Sequence, residues 1–132
     1  MTDEAALSQL LTDYYKAFST LNVEAVRPFF HTPGLLITPS GTFAVQSQEV
    51  FEPAMGAIMD ELRNRGYTRS EFRLNGIKVL SNTAASASGM VTRFKQGDQE
   101  LERAGLSYLF YIGVDGWRIA VILLHDSDRS LN

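Results

Sequence analysis

Three side chains in this chain are suited to proton chemistry: Tyr14, Tyr108 and His125. Histidine titrates near neutrality, which makes His125 the candidate general base or proton shuttle, with Asp126 adjacent to it in sequence. A phenol donates a hydrogen bond to an oxygen that gathers negative charge, so Tyr14 and Tyr108 are candidate enolate or oxyanion donors. Phe18, Thr38, Phe51, Met55 and Val121 are expected to bind the ligand around them. An apolar box with a few polar handles suits a small apolar or carbonyl-containing molecule. The chemistry such groups could perform without a cofactor is proton transfer, dehydration or cyclisation of a carbonyl compound.

For these residues to meet, the elements carrying them must surround a common hollow. Leu7, Leu10, Leu11, Tyr14, Ala17, Phe18 and Leu21 recur at helical spacing, behind a Thr2 cap and an acidic first turn, and predict a helix of about five turns. Asn22 can cap a short second helix ending near Pro28, and residues 35–38 form a short strand between turn-forming Pro and Gly pairs. A third helix runs from Ser47 or Glu52 to Asn64 with Phe51, Met55, Ile58 and Leu62 inward; Pro53 either starts it or kinks its first turn. Four antiparallel strands follow, over 68–79, 84–94, 101–113 and 117–124, with Asn75-Gly76 read as a bulge.

The last two strands dominate the pattern. Asp115-Gly116 predicts a type I′ hairpin turn. Strict alternation places Leu106, Tyr108, Phe110 and Ile112 on one face of the first strand. It groups Trp117, Ile119, Val121, Leu123 and His125 on one face of the second. The order ααβα followed by four strands predicts an α+β fold, a curved antiparallel sheet wrapped around the N-terminal helices as a cone, in one domain over 1–132. The sheet is apolar on both faces, so a homodimer through its outer face is expected.

Composition narrows the function classes. The net charge is −3 and glutamates interrupt the Arg63–Arg73 group, which argues against nucleic acid. The absence of cysteine removes thiol nucleophiles, thiolate metal sites and disulfides. His31 and His125 lack a carboxylate at metalloenzyme spacing, so no metal and no cofactor are expected; His31 is read as fixing its own turn. No apolar run approaches the roughly 20 residues of a membrane span, and Met1-Thr2-Asp3-Glu4 lacks the basic start of a signal peptide. A cytoplasmic protein without membrane or nucleic-acid partners is the expectation. Arg93 with Glu100, Glu102 and Arg103 reads as a cross-strand charge cluster, or as a pocket rim where Arg93 could bind an acid.

The element order, together with Tyr14-Tyr15-Lys16-Ala17-Phe18, Val26-Arg27-Pro28-Phe29-Phe30 and Gly116-Trp117-Arg118-Ile119-Ala120-Val121, resembles the nuclear transport factor 2-like superfamily. That group includes SnoaL-like polyketide cyclases, ketosteroid isomerases and scytalone dehydratases, and the resemblance spans residues 7–126. It implies the cystatin-like α+β cone. Compared with the ketosteroid isomerases, Tyr14 matches the tyrosine oxyanion donor, and Tyr108 stands where the second donor is an aspartic acid. The general-base carboxylate before a proline is replaced by Thr38 before Pro39, and a hydroxyl has no useful basicity near neutral pH. The resemblance therefore implies the fold without that isomerase activity. Two classes stay open: a cofactor-independent enzyme, and a binding or partner-docking module that does no chemistry.

Overall fold

A computed structural model describes residues 2–130. Helix α1 (Asp3–Phe18) begins at Thr2, whose hydroxyl accepts the Ala5 amide at 3.1 Å. Its buried arc is Leu7, Leu11, Tyr14, Tyr15 and Phe18, the i, i+4, i+7, i+8, i+11 pattern of a wide apolar face. Asn22 caps the one-turn α2 (Val23–Val26), and a 3₁₀ turn over Arg27–Phe29 leads into the sheet. Helix α3 (Gln48–Asn64) buries Phe51, Met55, Met59 and Leu62. Pro53 neither starts it nor ends it; it sits inside, where its missing N–H leaves one early carbonyl unpaired within the helix.

Six strands form the sheet: β1 (Phe30–Thr38), β2 (Gly41–Val45), β3 (Tyr67–Val79), β4 (Ala84–Lys95), β5 (Gln99–Gly113) and β6 (Gly116–His125). Their spatial order is β2-β1-β6-β5-β4-β3. The expected α+β cone is the fold observed, with two differences. The sheet is mixed, because β1 pairs in parallel with β6 while the other neighbours pair antiparallel. Strand β2 was not anticipated: it is five residues long, and Phe43 on it is exposed, so no alternation marks it.

Irregularities decide which residues face the helices. Strand β3 runs on through Asn75-Gly76 with a register shift between Leu74 and Gly76, as the bulge reading expects. In β6, Phe110 pairs with Ile119 but Leu109 pairs with Val121, so Ala120 is an extra residue. The bulge inverts the alternation beyond it: Ile119 points to the core, and then Ile122 and Leu124 do, leaving Val121, Leu123 and His125 on the convex side. A second bulge skips Leu101, since Arg93 pairs with Glu102 and Phe94 with Glu100. The hairpin turn also differs from expectation. Val114-Asp115 forms its centre without positive φ, and Gly116 at φ 92° supplies the left-handed residue of a bulged turn.

The concave side is filled by the helices, with Tyr15 stacked on Phe72 at 4.6 Å between ring centroids. On the convex side Leu109 and Tyr111 each remain 41 % exposed. Among the described residues no helix is long and apolar enough to cross a membrane.

Candidate functional site

A cavity of about 440 Å³ opens between the helices and the concave face of the sheet. That volume falls within the range of small-molecule sites, roughly 300–1,000 Å³. Helix α1 contributes Tyr14, Tyr15 and Phe18, and α3 contributes Met55 and Leu62. The strands supply Thr38, Arg93, Glu102 and Tyr108, with Leu106, Ile122 and Leu124 as apolar wall.

Five of the residues expected to form a site therefore share one cavity: Tyr14, Phe18, Thr38, Met55 and Tyr108. Three do not. Phe51 lies one helical turn before Met55 on α3 and packs against the Phe30 ring at 4.8 Å, in the core rather than the cavity wall. Val121 and His125 are turned to the convex face by the Ala120 bulge. His125 is held there at both nitrogens, Nε2 at 2.8 Å from Ser107 Oγ and Nδ1 at 2.8 Å from the Asp126 carbonyl oxygen. Ser107 Oγ in turn lies 2.8 Å from Ser88 Oγ. The imidazole is thus built into a buried polar chain and is remote in direction from the two phenols.

Tyr14, Tyr15 and Tyr108 make one aromatic cluster. The Tyr15 and Tyr108 hydroxyls hydrogen-bond to each other. Tyr14 meets Tyr15 edge-on at 5.1 Å and Tyr108 at 6.5 Å between centroids. Its hydroxyl makes no hydrogen bond to any other described residue and is open to the cavity. Burial pushes all three phenols well above the ordinary tyrosine range, against a smaller pull downward from the Arg93 guanidinium. At neutral pH they are protonated, so they act as donors and not as bases. The Thr38 hydroxyl is occupied in its own turn, accepting the Ser40 amide at 3.2 Å and donating to the Gly41 carbonyl at 3.3 Å.

The charged end of the cavity is a triad. Arg93 Nη1 donates to Glu102 Oε2 at 2.6 Å, and Arg65 reaches the other carboxylate oxygen of the same Glu102. Burial alone would raise the Glu102 carboxyl, but the two guanidiniums outweigh it and hold the group below the usual carboxylate range. Arg93 Nε is buried with no partner among the described residues. The expected grouping of Glu100 with Glu102 does not form: the bulge at Leu101 separates them, and Glu100 pairs outside with Arg103 at 2.8 Å.

Reading the sequence missed Tyr15, the part of Arg65 in the triad, and the apolar pair Ile122 and Leu124, while its pocket-rim alternative for Arg93 and Glu102 is where these two residues lie. Tyr15 was legible in the helical arc of α1, whose i+7 and i+8 positions are both inward. His31 does fix its own turn, with Nδ1 2.9 Å from the Pro33 carbonyl oxygen. Among the described residues no three His, Asp or Glu side chains converge as metal ligands would.

The fold has many relatives among solved structures. An NTF-2 like protein of unknown function from Shewanella oneidensis MR-1 superposes with a TM-score of 0.73 at 19 % identity, covering 91 % of this chain and 96 % of that one. A domain of unknown function with a cystatin-like fold from Nostoc punctiforme PCC 73102 gives 0.77 at 17 % identity, over 98 % and 79 % of the two chains. A ketosteroid isomerase-like protein from Erwinia carotovora atroseptica SCRI1043 gives 0.69 at 12 % identity, over 98 % and 97 %. At these identities the likeness is one of fold. No functionally curated protein matches the chain. The sequence profile of the family described as NTF2-like protein (DUF6841) matches residues 3–127, and the chain belongs to that family.

Proposed function

We propose that the cavity binds a small, mainly apolar molecule through an oxygen acceptor such as a carbonyl, and that it does so without base catalysis. The observation that carries this reading is the Tyr14 hydroxyl, placed in a cavity wall among apolar side chains with no hydrogen-bond partner among the described residues. A donor with no protein partner that opens on a hollow of ligand size is placed to meet the acceptor of a bound molecule. Tyr108 is already engaged with Tyr15 and positions the cluster around it.

Binding is favoured over proton transfer by the state of the available groups. The phenols keep their protons at neutral pH, Glu102 is committed to two guanidiniums, the exposed Glu61 at the cavity edge faces Arg65 at 3.6 Å, and His125 lies on the other face of the sheet. None of these is a free base within reach of a bound carbon acid. The proposed partner of the convex face is a second copy of this chain, as the exposed Leu109 and Tyr111 on a central strand support.

The test uses the neutral ketone 2-acetylnaphthalene, followed by its fluorescence and by amide chemical shifts. Saturable binding should shift residues of α1 and β5 around Tyr14 and Tyr108, and Tyr14→Phe should weaken it about two- to tenfold, the loss of one hydrogen bond. Absence of saturable binding, or equal affinity for Tyr14→Phe, would refute the reading.

A further inference from the structure

The charges at one end of the cavity cancel, and the way they cancel selects the ligand. We infer that Glu102 is a specificity residue that closes the cavity to carboxylates and leaves it to uncharged carbonyl compounds. A ketone, ester or lactone then enters, and the acid left by hydrolysis of such an ester does not; this rests on the cavity being a ligand site. The charged lining is two guanidiniums, Arg65 and Arg93, against two carboxylates, Glu61 and Glu102. Glu102 is the link between the guanidiniums: Oε2 accepts from Arg93 Nη1 at 2.6 Å and Oε1 meets Arg65, which also faces Glu61 at 3.6 Å. Two guanidiniums in an apolar wall would by themselves receive an acid, because Arg pairs readily with carboxylates. Glu102 stands where that acid would bind.

The bridge is placed to act on whatever the cavity holds. The Arg93 guanidinium carbon lies 5.9 Å from the centre of the Phe18 ring, and the Phe18 ring lies 5.9 Å from that of Tyr14. A molecule resting on Phe18 therefore has both the Tyr14 phenol and the charged end as neighbours. Side-chain exposure is 11 % for Arg93 and 26 % for Glu102, so water screens this pair far less than the outlying Glu61. Burial opposes the charge on Glu102, but the two guanidiniums outweigh it and keep the carboxylate ionised at neutral pH. An entering acid would lose its hydration, find both guanidiniums already answered and meet a like charge. The Arg93 Nε offers it nothing, being sealed within the protein. A neutral carbonyl loses less on leaving water and still meets the Tyr14 hydroxyl.

Two probes with one ring system decide the matter: methyl 2-naphthoate and 2-naphthoate, titrated by fluorescence at pH 7 and low salt. The native protein should bind the ester about tenfold or more tightly than the acid. Glu102→Gln keeps the side-chain shape and removes the charge, leaving Arg65 and Arg93 against Glu61 alone. It should cut the ester-to-acid ratio about tenfold or more, the margin of a charge-assisted hydrogen bond. Arg65→Gln, at the more exposed end of the bridge, moves the count the other way and should widen the ratio about two- to fivefold. Should Glu102→Gln fail to fold, the native ratio and Arg65→Gln still decide. An acid bound as tightly as the ester, a ratio unmoved by Glu102→Gln, or one that Arg65→Gln does not widen overturns the role of Glu102, while ester binding keeps the cavity reading. If neither probe binds, the cavity reading itself falls.

Discussion

Tyr14 and Tyr15 are neighbours on one helix, both buried, and removal of one oxygen atom from each should have unequal consequences. The Tyr15 hydroxyl is the hydrogen-bond partner of Tyr108, whose own side chain is 1 % exposed. Tyr15→Phe leaves the Tyr108 hydroxyl buried without a partner, a loss of about 1–3 kcal/mol. The Tyr14 hydroxyl bonds to no other described residue, so Tyr14→Phe removes no hydrogen bond among them. Its stability should stay within about 0.5 kcal/mol of the native protein, as for a substitution that breaks no contact. The ring contacts of Tyr14 with Phe29 and Phe30, at 6.0 and 5.6 Å, survive in both variants. Urea unfolding followed by tryptophan fluorescence and circular dichroism resolves the difference, provided the m-value is unchanged. A Tyr14→Phe variant as destabilised as Tyr15→Phe would refute the reasoning, because the hydroxyl would then be structural and unavailable to a ligand.

Further outcomes follow from the same geometry. A Cβ at Gly105 would collide with both the Asp126 carbonyl oxygen and His125 Nδ1, so Gly105→Ala should cost about 1–3 kcal/mol in urea unfolding and loosen the His125–Ser107 bond seen by imidazole NMR. The three cavity phenols hold their protons in the folded state above pH 10 while the unfolded chain gives them up. Stability is therefore complete below that pH and lost as pH rises through it, by at most about 1.4 kcal/mol per pH unit for each phenol. Glu102 has the opposite sign: its contribution is present above the unfolded value near 4.5 and disappears as pH falls through the lowered folded value, and Glu102→Gln should flatten that part of the acid limb. Sedimentation at micromolar concentration should show a dimer that Leu109→Lys with Tyr111→Lys converts to monomer; a native monomer would remove the second copy from the convex face.

The helices and most of the sheet were legible because their signals are local. Thr2 and Asn22 cap where the sequence places caps, and the arc from Leu7 to Phe18 follows helical spacing. Tyr14 and Tyr108 could be brought to one hollow because α1 and the middle of β5 are regular, so their periodicities carry undisturbed to the cavity. His125 and Val121 could not be placed, since one extra residue at Ala120 reverses every orientation beyond it and nothing in Ile119-Ala120-Val121 announces a bulge. The skipped Leu101 hid the triad in the same way, by sending Glu102 inward and Glu100 outward. Parallel pairing of β1 with β6 is a matter of long-range topology, and side-chain alternation is indifferent to strand direction.

The most direct measurement is a crystal structure of the protein with 2-acetylnaphthalene. The carbonyl oxygen should lie within hydrogen-bonding distance of the Tyr14 hydroxyl, with the rings against Phe18 and Met55. Acetylnaphthalene seated instead on the convex face beside His125 and Ser107, with the cavity filled by its own side chains, would contradict the account.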